Sequence, residues 1–200
     1  MPLTEVRIAG FGGQGVILSA IIIGKAAAIY QGGHATLTQS FGPEARGGAS
    51  SAQVILSDSP ILYPYVTQPD ALVVMSQEAY TRFTPELKDG GLLIVEEDLV
   101  RLSEMRSGIR VHSVPATRLA EELGRKMVLN VVMVGFFAAV TALLDPEALR
   151  QAVLDSVPPD TRELNLRAFD KGFDYGLAKL HAPVQSVDQE HPQRSLEAHH

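Results

Sequence analysis

Cysteine is missing from all 200 positions of this sequence. Its absence excludes disulfides, thiolate-bound iron–sulfur clusters and cysteine nucleophiles, so any iron–sulfur electron transfer must take place on another chain. Acidic residues are missing from one particular stretch: between Glu5 and Glu44 there is no Asp or Glu. The start, Met1-Pro2-Leu3-Thr4-Glu5, lacks the basic region that opens a secretory leader, and a cytoplasmic location is expected. Long uninterrupted apolar runs are also lacking. Val16 to Ile29 is broken by Ser19, Gly24 and Lys25, and Val128 to Leu144 by Asn130, Gly135 and Thr141. Both fall short of the roughly 20 residues that cross a bilayer, so core helices or subunit contacts are expected and membrane spans are not. Basic charge is in deficit, with 17 Lys and Arg against 23 Asp and Glu and a formal net charge of -6, which argues against general nucleic-acid binding.

Reactive constellations are absent too. The sequence has no nucleophile elbow, no Walker pattern and no His, Asp and Glu at metal-ligand spacing. His34 and His112 fall in predicted strands, and His181, His191, His199 and His200 in or near a polar C-terminal end. No catalytic residue and no metal ligand is assigned. Redox chemistry by this chain alone is not expected.

What is present alternates strand with helix. Short β-branched runs at Val6 to Ala9, His34 to Ser40 and Ser51 to Leu56 read as strands. Ala71 to Met75 and Leu92 to Val95 read as strands buried on both faces, and Ile109 to Val114 as a further strand. Helices are expected at about 15 to 30, 78 to 83 and 116 to 124, then through three segments from Val128 to about Leu180. Gly32-Gly33 should stop the first helix, and Asp145-Pro146 should start a late one. The pattern predicts an α/β fold, a three-layer Rossmann-like sheet with helices on both faces and a helical C-terminal part. Residues 1–180 are expected to form a single domain, and 181–200 a polar, flexible tail.

Two glycine loops stand out. Gly10, Gly12 and Gly15 give the spacing G-x-G-x-x-G between a strand and a helix, where free amides attract anions. A dinucleotide site of this kind needs an acid about 20 residues on to hold the ribose, and none is available before Glu44. Two readings therefore stay open for Gly12, Gly13 and Gly15: tight helix–strand packing, or contact with an anion or a partner backbone. Gln14 serves either as a cap for the turn or as a ligand contact. In the second loop, Glu44, Arg46, Gly47 and Gly48 set a charge pair beside two glycines. Arg46 suits a phosphate or a partner carboxylate, or an ordering ion pair with Glu44. Loops that follow strands collect on one edge of such sheets, where ligands and partners bind.

The run Ile8-Ala9-Gly10-Phe11-Gly12-Gly13-Gln14-Gly15-Val16, followed by Glu44-Ala45-Arg46-Gly47-Gly48, resembles the gamma subunits of 2-oxoacid:ferredoxin oxidoreductases. Pro69 to Val73, Asn130 to Gly135 and Glu163 to Phe169 continue the resemblance in the same order, so that it covers about residues 5 to 180. It implies a non-autonomous subunit of an enzyme of EC 1.2.7 type. The assembly would convert a 2-oxoacid and coenzyme A into acyl-CoA, carbon dioxide and reduced ferredoxin. Thiamine diphosphate with Mg2+ and the iron–sulfur clusters would belong to alpha, beta and delta-type chains, with no cofactor on this chain alone. The two loops would then help enclose the thiamine, receive coenzyme A or contact partner chains, and self-association is a further expectation. A free-standing nucleotide-binding oxidoreductase and a purely scaffolding domain are the alternatives.

Overall fold

The computed structural model describes residues 1–40 and 49–181. The second glycine loop, with Glu44, Arg46, Gly47 and Gly48, and the polar end from residue 182 onward lie outside the described residues. One sheet organises the rest. Its strands are β1 (Thr4–Phe11), β2 (His34–Ser40), β3 (Ala49–Ser57), β4 (Ala71–Val74), β5 (Leu92–Glu96) and β6 (Arg110–Val114). They lie in the order β2-β3-β1-β4-β5-β6. The helices are α1 (Val16–Lys25), α2 (Gln77–Phe83), α3 (Ala116–Glu122), α4 (Leu129–Thr141), α5 (Pro146–Leu154) and α6 (Arg162–His181).

The expected α/β layering holds, with a mixed sheet at its centre. β1, β4, β5 and β6 are parallel, whereas β3 runs antiparallel between β1 and β2. Connection length explains this. A parallel pair needs a crossover of a dozen or more residues, and only 41–48 separate β2 from β3. β1 and β4 start at the same end of the sheet as β3 finishes. The proline-spaced segment 58–70 therefore returns the chain without a helix.

Alternation along the strands divides the core in two. Val6, Ile8, Val54, Leu56, Val73 and Ile94 face a large cluster shared with α1, α3, α4, α5 and α6. Ala9, Leu72, Val74, Leu93 and Val95 face a smaller one closed by α2 and by Val100 and Met105. α1 continues into a π-helical turn, Ala26–Tyr30, and ends where Gly32 adopts a φ of +69. Asp145 caps α5 by accepting from the Glu147 amide at 3.0 Å, and Pro146 takes the first helical position.

The apolar segment around α4 is covered by the chain itself. Every residue from Leu129 to Ala139 is buried, Phe136 and Phe137 almost completely, so this helix is core and not a subunit contact. Close approach of α6 makes that possible. A Cβ on Gly135 would lie 2.0 Å from the Phe169 carbonyl oxygen, and one on Gly172 would lie 2.0 Å from that of Val132. The two backbones touch. No helix among the described residues is long and apolar enough to cross a membrane.

Candidate functional site

β1 delivers its helix α1 to the large-core face, and β4 delivers α2 to the opposite face. Neighbouring parallel strands whose helices diverge leave a crevice at their C-terminal ends, where α/β sheets bind ligands. A cleft of about 460 Å³ occupies that position. Phe11, Gly13 and Gln14 line it from the loop after β1, and Met75, Ser76 and Gln77 from the turn after β4. Leu99 closes one side, while Lys126, Met127 and Leu129 come from the entrance to α4. Its walls are chiefly apolar. Met127 is 84% exposed and Phe11 is 39% exposed on the rim, with Lys126 as the nearby cation.

The first glycine loop divides into positions the chain itself requires and one it does not. A Cβ on Gly10 would meet Gln14 Oε1 at 2.6 Å and Met75 Cβ at 3.2 Å. Gly15 caps α1 at a φ of +74, and a Cβ there would strike the Asn130 side chain at 2.5 Å. Packing and backbone conformation thus dictate glycine at 10 and 15. Gly13 needs its φ of +90. Gly12 has neither constraint among the described residues: its φ is not positive, and none of their atoms lies within 4 Å of a Cβ built there.

Gln14 is used internally at both ends. Its Oε1 accepts from the Phe11 amide at 2.6 Å, and its Nε2 donates to the Met75 carbonyl at 2.8 Å. It ties the β1 loop to the β4 turn and so sets the width of the crevice. Ser76, which is buried, caps α2 by accepting from the Ala79 amide at 3.2 Å. Among the described residues no side chain caps α1, which starts just after Gly13 and Gln14 of the cleft lining.

Two supporting residues were not assigned a role from the sequence. Asn130 donates from Nδ2 to the Gly15 carbonyl at 3.4 Å, clamping the glycine loop from α4. Its signal was a lone amide in an apolar run, since a buried polar group must find a partner. Glu96 is completely buried at the end of β5. Its Oε1 accepts from the Thr117 amide at 2.9 Å and its Oε2 from the Leu99 amide at 2.7 Å. It fixes the cleft wall at Leu99 and the start of α3 together, and nothing local in the sequence distinguishes it from a surface glutamate. Glu96→Gln places an NH2 against one of two backbone N–H groups, and should cost about 2 kcal/mol as a buried charge-assisted acceptor is lost. A urea midpoint equal to that of the parent protein at neutral pH would refute this role.

The topology also bears on nucleotide binding. β3 intervenes between β1 and β2, so the end of β2 lies two strand spacings, roughly 10 Å, from the glycine loop. The ribose-holding position of a dinucleotide site is therefore displaced as well as lacking its acid. Among the described residues, no group of three His, Cys, Asp or Glu could hold a metal ion.

Comparison with known proteins agrees with this fold. The family model described as pyruvate ferredoxin/flavodoxin oxidoreductase matches residues 5–175. The 2-oxoglutarate synthase subunit KorC of Methanothermobacter thermautotrophicus is 51% identical over 84% of this chain and 92% of its own. KorC of Methanocaldococcus jannaschii is 46% identical over 85% and 92%. The crystal structure of a keto/oxoacid ferredoxin oxidoreductase gamma subunit from Geobacter sulfurreducens is 41% identical, with a TM-score of 0.78 over 88% of this chain and 99% of that one. A 2-oxoglutarate:ferredoxin oxidoreductase from Magnetococcus marinus, with 2-oxoglutarate, coenzyme A and succinyl-CoA bound, shares the fold. It is 24% identical with a TM-score of 0.80, over 89% of this chain and 32% of the longer one. With the family model spanning most of its length and relatives near half identity, this chain belongs to the pyruvate ferredoxin/flavodoxin oxidoreductase family and is of its gamma-subunit type.

Proposed function

We propose that this chain is the gamma subunit of a cytoplasmic assembly that oxidises 2-oxoglutarate, and that its cleft receives coenzyme A. Gly12 carries the carrier assignment. It stands between Phe11 and Gly13, which line the switch-point cleft, and among the described residues neither backbone conformation nor packing requires a glycine there, so its smallness suits a ligand. Apolar walls from Met75, Leu99, Met127 and Leu129 suit the long arm of the carrier. The uncapped start of α1 and the Lys126 ammonium suit its anionic end. The Magnetococcus enzyme with coenzyme A bound contains a domain of this fold, which supports the same reading.

The other cofactors fall to other chains. A polypeptide without cysteine offers iron–sulfur clusters no thiolates. Alpha, beta and delta-type chains would hold thiamine diphosphate with Mg2+ and the clusters, and would pass electrons to ferredoxin. This chain's own contribution is to position the acyl acceptor. Arg46 and its loop would contact that carrier or the partner chains.

The choice of acid rests on the KorC relatives, at 51% and 46% identity. The native assembly, purified through this subunit, should show kcat/KM for 2-oxoglutarate at least about tenfold above that for pyruvate, roughly 1.4 kcal/mol of discrimination. Equal or inverted preference would overturn the substrate assignment.

A further inference from the structure

The sheet ends in two edge strands, and the chain treats them differently. Along β6 lies Arg110, and Lys179 from α6 donates to the Ser113 carbonyl at 2.8 Å and to its Oγ at 3.1 Å. Charged side chains on an edge are a standard defence against pairing with another strand. β2 has no such defence. His34 to Ser40 contains no Lys, Arg, Asp, Glu or Pro, and among the described residues it pairs only with β3. An unguarded seven-residue edge invites a further strand.

The flank of that edge is apolar. A groove of about 270 Å³ runs between β2 and the outer side of α1 with its π-helical turn, lined by Ile21, Ala28, Ile29, Ala35 and Leu37. Ile29 is 62% exposed and Leu37 is 38% exposed. Lys25 also lines the groove, and its ammonium is engaged in donating to the Asp155 carbonyl at 3.0 Å. The edge and the groove form one continuous surface, set apart from the cleft by the width of β3 and independent of what the cleft binds.

We propose that β2 pairs antiparallel with β2 of a second copy of this chain, giving a continuous twelve-stranded sheet. Self-complementarity of the strand favours a second copy as occupant. A two-fold axis through Leu37 sets Leu37 against its own counterpart on the α1 side, where Ile29 of each copy flanks it. On the opposite face Thr36 meets Thr38 of the second copy, and His34 meets Ser40. No position opposes a like pair of carboxylates or lysines, and threonine pairs are favourable across strands. The strip is about 23 Å long at roughly 3.3 Å per residue and about 20 Å deep over sheet and helix, which buries on the order of 1,000 Å² in all. That lies near the lower bound for specific association, so the dimer should depend on concentration.

Sedimentation of the full chain from low micromolar to submillimolar concentration tests this. A monomer–dimer equilibrium is expected, and Leu37→Lys should weaken it at least about tenfold while leaving the circular dichroism spectrum unchanged. Hydrogen exchange should show protection that grows with concentration and is centred on 34–40. Should Leu37→Lys fail to fold, the exchange pattern of the parent protein decides alone. A parent chain that stays monomeric at the highest concentration overturns the proposal. So does a dimer indifferent to Leu37→Lys, or an edge protected only after other chains of the assembly are added.

Discussion

Gly135→Ala is expected to remove a large share of the stability of this protein, as much as the costliest substitutions of a buried side chain by a smaller one. The added methyl would sit 2.0 Å from the Phe169 carbonyl oxygen, 2.9 Å from its carbon and 3.0 Å from the Phe173 amide nitrogen. All three are backbone atoms of a helix and cannot swing aside as a side chain would. α4 and α6 must move apart, which opens gaps along the whole crossing in a core packed as densely as a crystal. The reciprocal contact from Gly172 to the Val132 carbonyl makes the same demand from the other helix. A loss above about 4 kcal/mol is expected, against a total of about 5–15 for a typical domain. Gly24→Ala is the matched control. Its Cβ would meet Ala35 and Val54 at 3.9 Å, ordinary contact, in the interior of α1. That change should stabilise by about 0.5–1 kcal/mol. Urea unfolding of the two variants beside the parent measures both, and a Gly135→Ala chain as stable as the parent would refute the backbone-contact account.

Gly12→Val should do the opposite: leave the fold alone and damage the assembled enzyme. Among the described residues no atom stands within 4 Å of the new Cβ, and no positive φ is forced on it, so the unfolding free energy should change by no more than about 0.5 kcal/mol. In the reconstituted complex, KM for coenzyme A should rise at least about tenfold, equivalent to about 1.4 kcal/mol. KM for the 2-oxoacid and turnover at saturating coenzyme A should stay as they were. Gly15→Val separates site from scaffold, because it should destabilise the isolated chain through Asn130 as well. An unchanged KM in a fully assembled Gly12→Val complex would eliminate the carrier reading. Loss of assembly with no effect on KM would identify the loop as a subunit contact.

Much of the architecture was legible from local chemistry. His34 to Ser40 was bounded correctly because glycines precede it and a β-branched alternation fills it. Asp145-Pro146 announced the start of α5 because a capping carboxylate and a fixed φ act within three residues. The direction of β3 was implicit in the short link before it, although strand alternation alone does not reveal it. Gln14 illustrates the boundary: sequence offered a cap or a ligand contact, and only the fold reveals its hydrogen bond to Met75, a residue 61 positions away.

By itself the sequence determined the α/β class, the family, the absence of any thiolate site and the lack of an acid to hold a ribose. These follow from composition, from periodicity and from motifs only a few residues long. The tertiary structure alone decided which glycines of the first loop are internal, that Glu96 braces the cleft, that α4 is core, and which edge of the sheet lies unguarded. Each of these depends on atoms brought together from distant parts of the chain. A glycine required by a neighbouring backbone and one required by a ligand read identically until those neighbours are in place.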